Sequence, residues 1–275
     1  MTKLHQRGKM KYTYDIDKRF NGKKLYDYWL EDSCYKSDRL MKEGGRTFKR
    51  FYNTLAQHIF DINLEIRKKA NEFYPIVRNE RSNSAAIAMA LSLQTPYVIS
   101  EYGIGCKDEN WHDDTDDTRE QQRRFIDFWC ATEDFKLEMW IESKHCWFNV
   151  GKGAKWEFDT GSKKRIQGAL KQIRDIEGLI KNGKATYGVK VALMSINVFC
   201  KREQTVDDLS ELDFIPRDVT KMLEYEAREY LKQDVGVLVG ALDLRPSIKT
   251  DKQDTYHIYG AEYLPYVLLG AIVLP

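Results

Sequence analysis

The chain has 275 residues, 42% hydrophobic and 31% charged, and its 44 basic side chains nearly cancel 42 acidic ones to leave a formal charge of +2. That length suits one large domain or two small ones. A charge balance so close to neutral selects neither nucleic acid nor a membrane surface as a global partner, so any polyanion site has to be a local patch.

Five cysteines (Cys34, Cys106, Cys130, Cys146 and Cys200) are odd in number and never in a CxxC pair. This argues against a disulfide framework or a structural zinc site and makes a reducing cytoplasm the expected compartment. Residues 1–11 carry no apolar core suited to a signal peptide. No run approaches the roughly 18 apolar residues of a membrane span, so no membrane partner is expected.

In chain order, Phe51, Leu55, Ile59, Ile62, Ile66, Ala70 and Phe73 recur every three or four residues and predict an amphipathic helix stopped by Pro75. Ser82, Asn83 and Ser84 offer caps for a second, alanine-rich helix, Ala85 to Leu93, ended by Pro96. Three strands follow: Tyr97 to Glu101, Arg124 to Ala131 and Phe135 to Phe148. Thr132-Glu133-Asp134 is short enough to join the last two as a hairpin. The acidic stretch Asp108 to Asp117 lacks the order and the glycine of an EF-hand and reads as a solvated loop.

A basic helix is predicted from Ser162 to Lys181, ended by Asn182-Gly183, and then an apolar strand from Lys190 to Cys200. A helix from Pro216 to Lys232, a strand from Val235 to Leu244 and one or two strands between His257 and Leu274 complete the chain. No internal repeat or low-complexity linker divides it. The expected organisation is α/β: a helical N-terminal extension (1–79), a core (80–205) and a C-terminal α/β elaboration (206–275) packed on the same domain, or extending the same sheet.

The chemistry-bearing residues lie on the second and third predicted strands. Alternation sends Leu137, Met139 and Ile141 to one face and Lys136, Glu138, Trp140, Glu142 and Lys144 to the other. Asp127 lies among Phe125, Ile126, Phe128 and Trp129, where a bare carboxylate is costly to bury. Trp140 shares the face of Glu142 and Lys144, but core packing is the better default for such a ring.

Asp127 followed by Glu142-Ser143-Lys144, in the order helix, three strands, helix, strand, resembles the core of the PD-(D/E)xK nuclease superfamily over roughly residues 80 to 200. Ile126 stands where the motif name has proline. The resemblance implies a restriction endonuclease-like fold, with a mixed central sheet flanked by helices. It also implies hydrolysis of DNA phosphodiesters with Mg2+ or Mn2+, by an endonuclease of restriction or defence type. Asp127 and Glu142 would be the metal ligands, with the Ser143 carbonyl as a third oxygen. Lys144 would handle the attacking water or the phosphate, its pKa lowered by the metal. A further acid often comes from the first core helix in this superfamily; Glu80 is the best-placed candidate and Glu101 its rival.

Lys163, Lys164 and Arg165 fall in the first turn of the basic helix, where the dipole disfavours cations, and a phosphate backbone would offset that cost; Lys171 and Arg174 extend the surface. Gln167 or Gln172 of the same helix would face the site. The other reading is that Glu157 and Asp159 partner the lysines. No GxSxG, GxxxxGK, HExxH or GxGxxG is present, so no nucleotide cofactor is expected. A homodimer fits double-strand cutting. The alternative function is a nonenzymatic binding, assembly or inhibitor protein on the same fold, with Asp127 and Glu142 structural.

Overall fold

The structure, a computed structural model, describes residues 9–12, 19–20, 23–24, 26–70, 75–104, 124–174, 176, 185–250, 258–260 and 262–274. The predicted acidic loop, Cys106, the helix end at Phe73 and the basic-helix stretch 177–181 lie outside them.

Strands β1 (Lys9–Tyr12), β2 (Arg19–Phe20), β3 (Lys23–Lys24) and β4 (Asp27–Glu31) come first, then helices α1 (Asp38–Leu40), α2 (Arg46–Ala70), α3 (Pro75–Arg78) and α4 (Glu80–Ser92). The segment read as helical therefore also supplies strands, whose short mixed sequences carry little periodicity. Next come β5 (Val98–Ile104), β6 (Arg124–Ala131), β7 (Leu137–Asn149), α5 (Thr160–Arg174) and β8 (Tyr187–Lys201). The chain ends with α6 (Ile215–Leu231), β9 (Gly236–Asp243), α7 (Arg245–Thr250), β10 (Ile258–Tyr259) and β11 (Glu262–Leu274). Among the described residues from Glu80 to Lys201, the elements follow the predicted order helix, three strands, helix, strand.

One mixed sheet runs β1-β4-β9-β11-β8-β7-β6-β5, with β10 paired to β11. Neighbours are antiparallel except β7 and β8, which run parallel in unbroken register from Leu137↔Tyr187 to Asn149↔Phe199. A parallel pair needs a crossover, and α5 lies in that connection. The C-terminal strands β11 and β9 continue the same sheet beyond β8.

Helices cover both faces, which is why β8 reads as a nearly continuous apolar run. Leu137, Met139, Ile141, Val189, Val191 and Leu193 pack with α2, α3 and α4. Trp140, Cys146, Phe148, Ala192, Met194 and Ile196 pack with α5 and α6. Alternation thus separates two cores, and Trp140 belongs to the second at 3% exposure. Tyr52 of α2 ties the first core to the middle of the sheet, donating its hydroxyl to the Leu269 carbonyl and accepting from Gly240 N at 3.1 Å. A side chain at Gly240 would place its Cβ 2.9 Å from Ala56 Cβ, so glycine is what lets α2 approach β9 this closely.

Some boundaries differ from expectation for identifiable reasons. Helix α4 begins at Glu80 because Asn79 is its cap, its Oδ1 accepting from Ser82 N at 2.9 Å. Ser82, Asn83 and Ser84, expected as caps, lie inside the helix, and Asn83 is buried against the sheet. Pro75 opens α3 instead of merely ending α2, a first-turn position where its missing N–H costs nothing. Phe135 takes a left-handed φ of 52° in the turn, so β7 starts at Leu137. Cys34, Cys130, Cys146 and Cys200 are free thiols. Among the described residues no helix is long and apolar enough to cross a membrane.

Candidate active site at the β6–β7 seam

Strands β6 and β7 pair only from Ala131↔Glu138 to Phe128↔Ile141. At the next position the ladder gives way to a side chain: Asp127 Oδ2 accepts from the backbone N–H of Ser143 at 2.7 Å. Alternation in β6 breaks here, Phe128 packing in the first core and Ile126 in the second, and Asp127 comes close enough to Glu142 for its charge to act on that carboxyl. Beyond this point β6 keeps its pairing with β5, through Tyr102↔Ile126 to Ile104↔Arg124, and the edge of β7 at Glu142–Lys144 is released from β6.

Four acids reach this seam from separate elements: Asp127 on β6, Glu142 on β7, Glu80 on α4 and Glu101 on β5. Lys144 Nζ lies 2.7 Å from Glu142 Oε1 and 3.0 Å from Glu80 Oε1, so the first residue of α4 meets the third strand of the core. Glu101, bracketed by the pairs Ser100↔Phe128 and Tyr102↔Ile126, sits opposite Asp127. It is exposed and holds a left-handed φ of 51°, which a non-glycine residue adopts only under constraint.

Burial sets the electrostatics. Glu142 is 1% exposed, and its Oε2 reaches no hydrogen-bond partner. Desolvation first, and then the Asp127 charge, push its carboxyl up to about 7, against the opposing pull of Lys144. Asp127 is also raised, by burial foremost, with the Ser143 N–H bond and Lys144 working the other way. Burial acts to lower the Lys144 ammonium, but its bonds to Glu142 and Glu80 outweigh that and hold it above its ordinary value.

The residues predicted to touch nucleic acid divide into two sorts. Lys163 pairs with Glu226 of α6 at 3.5 Å, and Arg165 donates from Nη1 to the His145 carbonyl at 2.7 Å. The cost of cations near the start of α5 is therefore met partly by protein partners, though not by Glu157 or Asp159. Asp159 instead caps the helix, accepting from Ser162 N at 2.6 Å. Lys164 and Lys171, seven residues apart and so on one side of α5, are exposed, as is Arg174. Gln167 is half-buried and Gln172 exposed.

A layer of polar residues on the other face of β7 and β8 went unanticipated. His145, Ser195 and Asn197 are buried there beneath α3 and α4, together with Asn83. The only sequence signal was a pair of polar residues, Ser195 and Asn197, inside an otherwise apolar strand.

Among the described residues no three His, Cys, Asp or Glu side chains cluster closely enough to hold an ion by themselves. Two carboxylates still fit a Mg2+-type ion, which keeps several waters and takes one or two carboxylates plus substrate phosphate. The unpartnered Glu142 Oε2 is an acceptor suited to that role. No family model, curated protein or solved structure matches the chain. The assignment therefore rests on this geometry.

Proposed function

We propose that this protein is a metal-dependent nuclease of the PD-(D/E)xK type that hydrolyses DNA phosphodiester bonds, in the manner of a restriction or defence endonuclease. The observation that carries the reading is the Glu142 carboxylate: buried, half unpartnered, raised to about 7, and held between Asp127 and Lys144. Carboxylates whose proton affinity is displaced by burial and by a specific charged neighbour cluster at functional sites. The strand order β5-β6-β7-β8 with a parallel last pair, α4 before it and α5 within it, supports a restriction endonuclease-like core.

Asp127 and Glu142 would hold Mg2+ or Mn2+, with the Ser143 carbonyl as a further oxygen. The bound ion supplies charge neutralisation on the phosphate and a more acidic water. The Ser143 N–H fixes the Asp127 carboxylate. Lys144 presents its ammonium to the attacking water or to the charge developing on the phosphate, and Glu80 orients it. Lys164 and Lys171 offer the exposed charge along which a DNA backbone would run. The free thiols fit a reducing compartment such as the cytoplasm. A homodimer would place two such sites on one duplex, which sedimentation of the protein tests directly.

One observation favours the nonenzymatic reading: Lys144 already bonds both Glu142 and Glu80, the arrangement a structural charge cluster would also have. Supercoiled plasmid and single-stranded DNA incubated with Mg2+, Mn2+ or chelator separate the two. Nicking that needs the metal and is lost in Asp127→Ala and Lys144→Ala, both folded, supports the nuclease. Identical behaviour of wild type and both variants sinks it.

A further inference from the structure

We propose that Asn197 is a positioning residue of the candidate site, setting the Glu80 carboxylate against Lys144 through the two bonds of its single side-chain amide. The inference rests on the nuclease reading for its catalytic consequence, but the geometry stands separately. Asn197 lies on β8 and is fully buried. Its Nδ2 donates to the Val77 carbonyl at 3.1 Å and faces His145 Nε2 at 2.8 Å. A carbonyl only accepts, so the amide orientation is fixed, and His145 must present the lone pair of Nε2 with its proton on Nδ1. Burial foremost, then Arg165, push that imidazole down to about 4, which keeps it neutral and able to accept.

Each bond ends close to one member of the pair. His145 follows Lys144 on β7, while Val77 belongs to α3, which runs straight into the Asn79 cap and Glu80. Two more buried amides hold the same junction. Asn83, one turn beyond Glu80, donates from Nδ2 to Ser195 Oγ. Asn63 of α2 bonds the Ile59 carbonyl at 2.7 Å and accepts from Ile76 N at 2.9 Å.

The Lys144–Glu80 contact cannot fix this geometry itself. The Glu80 side chain is 41% exposed, and such pairs contribute little and pay entropy to stay formed. The buried amides are poor choices for stability alone, because Asn197 Oδ1 and Asn83 Oδ1 reach no partner and aliphatic side chains would leave no such acceptor. Position is what they supply.

The test follows Lys144 by NMR of 13Cε-labelled lysine together with plasmid-nicking kinetics, in wild type, Asn197→Leu, Asn197→Ser, Glu80→Gln and the Asn197→Leu/Glu80→Gln double variant. Misplacement of a catalytic group by an ångström costs on the order of 100-fold, so kcat should fall by about that factor with KM for plasmid unchanged. The Lys144 titration should shift as it does in Glu80→Gln, and the double variant should be no worse than Glu80→Gln. A folded Asn197 variant with wild-type kcat and wild-type Lys144 titration overturns the proposal, as do additive losses. Where Asn197→Leu does not fold, Asn197→Ser decides; failure of both to fold assigns Asn197 a structural role and overturns it as well. Absence of metal-dependent nicking by wild type removes the nuclease reading alone, because the Lys144 titration still decides the positioning.

Discussion

At the C-terminal end of β9, Arg245 meets Asp243 through two parallel bonds of 2.9 and 2.8 Å, donates a third to the Leu209 carbonyl at 2.9 Å, and also reaches Asp213. Its guanidinium lies over the Tyr266 ring, 4.7 Å from the centroid. At the β6–β7 seam one lysine serves two acids, and a buried carboxylate oxygen is left over. Both clusters lie on the α5–α6 face of one sheet, and both take charge out of water. The first is built for satisfaction: a planar fork against a carboxylate, every contact short, the cation seated on an aromatic face. The second carries more negative charge than its partner neutralises. A folded chain tolerates such an imbalance where a ligand completes it, which is why the seam and not the Arg245 cluster is the candidate site.

Loss of Arg245 should cost the most. Arg245→Met strands a buried Asp243 carboxylate and should destabilise by roughly 3–5 kcal/mol in urea unfolding, with no change in the Lys144 titration of the folded fraction. A small loss would mean the cluster is not the satisfied pair described here. Next, Lys144→Ala should lower metal-dependent nicking by roughly 10²–10³-fold, the scale of removing one preorganised charge-stabilising donor, and should cost less stability than Arg245→Met, because the Glu142 carboxyl, already raised to about 7, can take up a proton when its partner is lost.

Stability should also depend on pH through Glu142. The folded-state pKa of Glu142, about 7, lies above the ordinary 4.5. A raised carboxyl stabilises the fold fully below 4.5, and that contribution is lost as pH rises through 7. Glu142→Gln should therefore melt higher than wild type at pH 8, by a margin on the order of 1–3 kcal/mol, and the margin should close towards pH 4.5. A pH-independent difference between the two would contradict the origin assigned to the shift. The smallest effects are on the surface. Lys164→Ala and Lys171→Ala should each change stability by less than about 0.5 kcal/mol yet reduce the salt slope of DNA binding by about one, whereas Lys163→Ala, already paired with Glu226, should leave that slope unchanged.

Much of the fold was legible because periodicity reports burial. The alternation in β7 and the unbroken apolar run of β8 identify a strand with two covered faces and its neighbour. The helix spacing from Phe51 to Ala70 identifies α2. The short strands β1 and β4 escaped, since four or five residues hold too few alternations to stand out. The cap of α4 was misplaced because Asn79, Ser82, Asn83 and Ser84 are all capping residues, and only the contact of Asn83 with Ser195 shows which of them faces the sheet. For the basic helix, composition gave the charges but not their partners: Glu226 and the His145 carbonyl lie far away in sequence.

The spacing of residues along each strand settles which of them share a face, and so makes Asp127, Glu142 and Lys144 candidates for one surface. Tertiary structure decided what that surface became. The parting of β6 from β7 beyond the Phe128–Ile141 pair, the arrival of Glu80 across 64 residues of chain, the tie from Asn197 to Val77 across 120, and the solitary Glu142 Oε2 all depend on contacts between separate elements. Side-chain period is a local property fixed by backbone geometry, whereas pKa, hydrogen-bond satisfaction and the reach of one carboxylate to another's lysine depend on what the fold packs nearby.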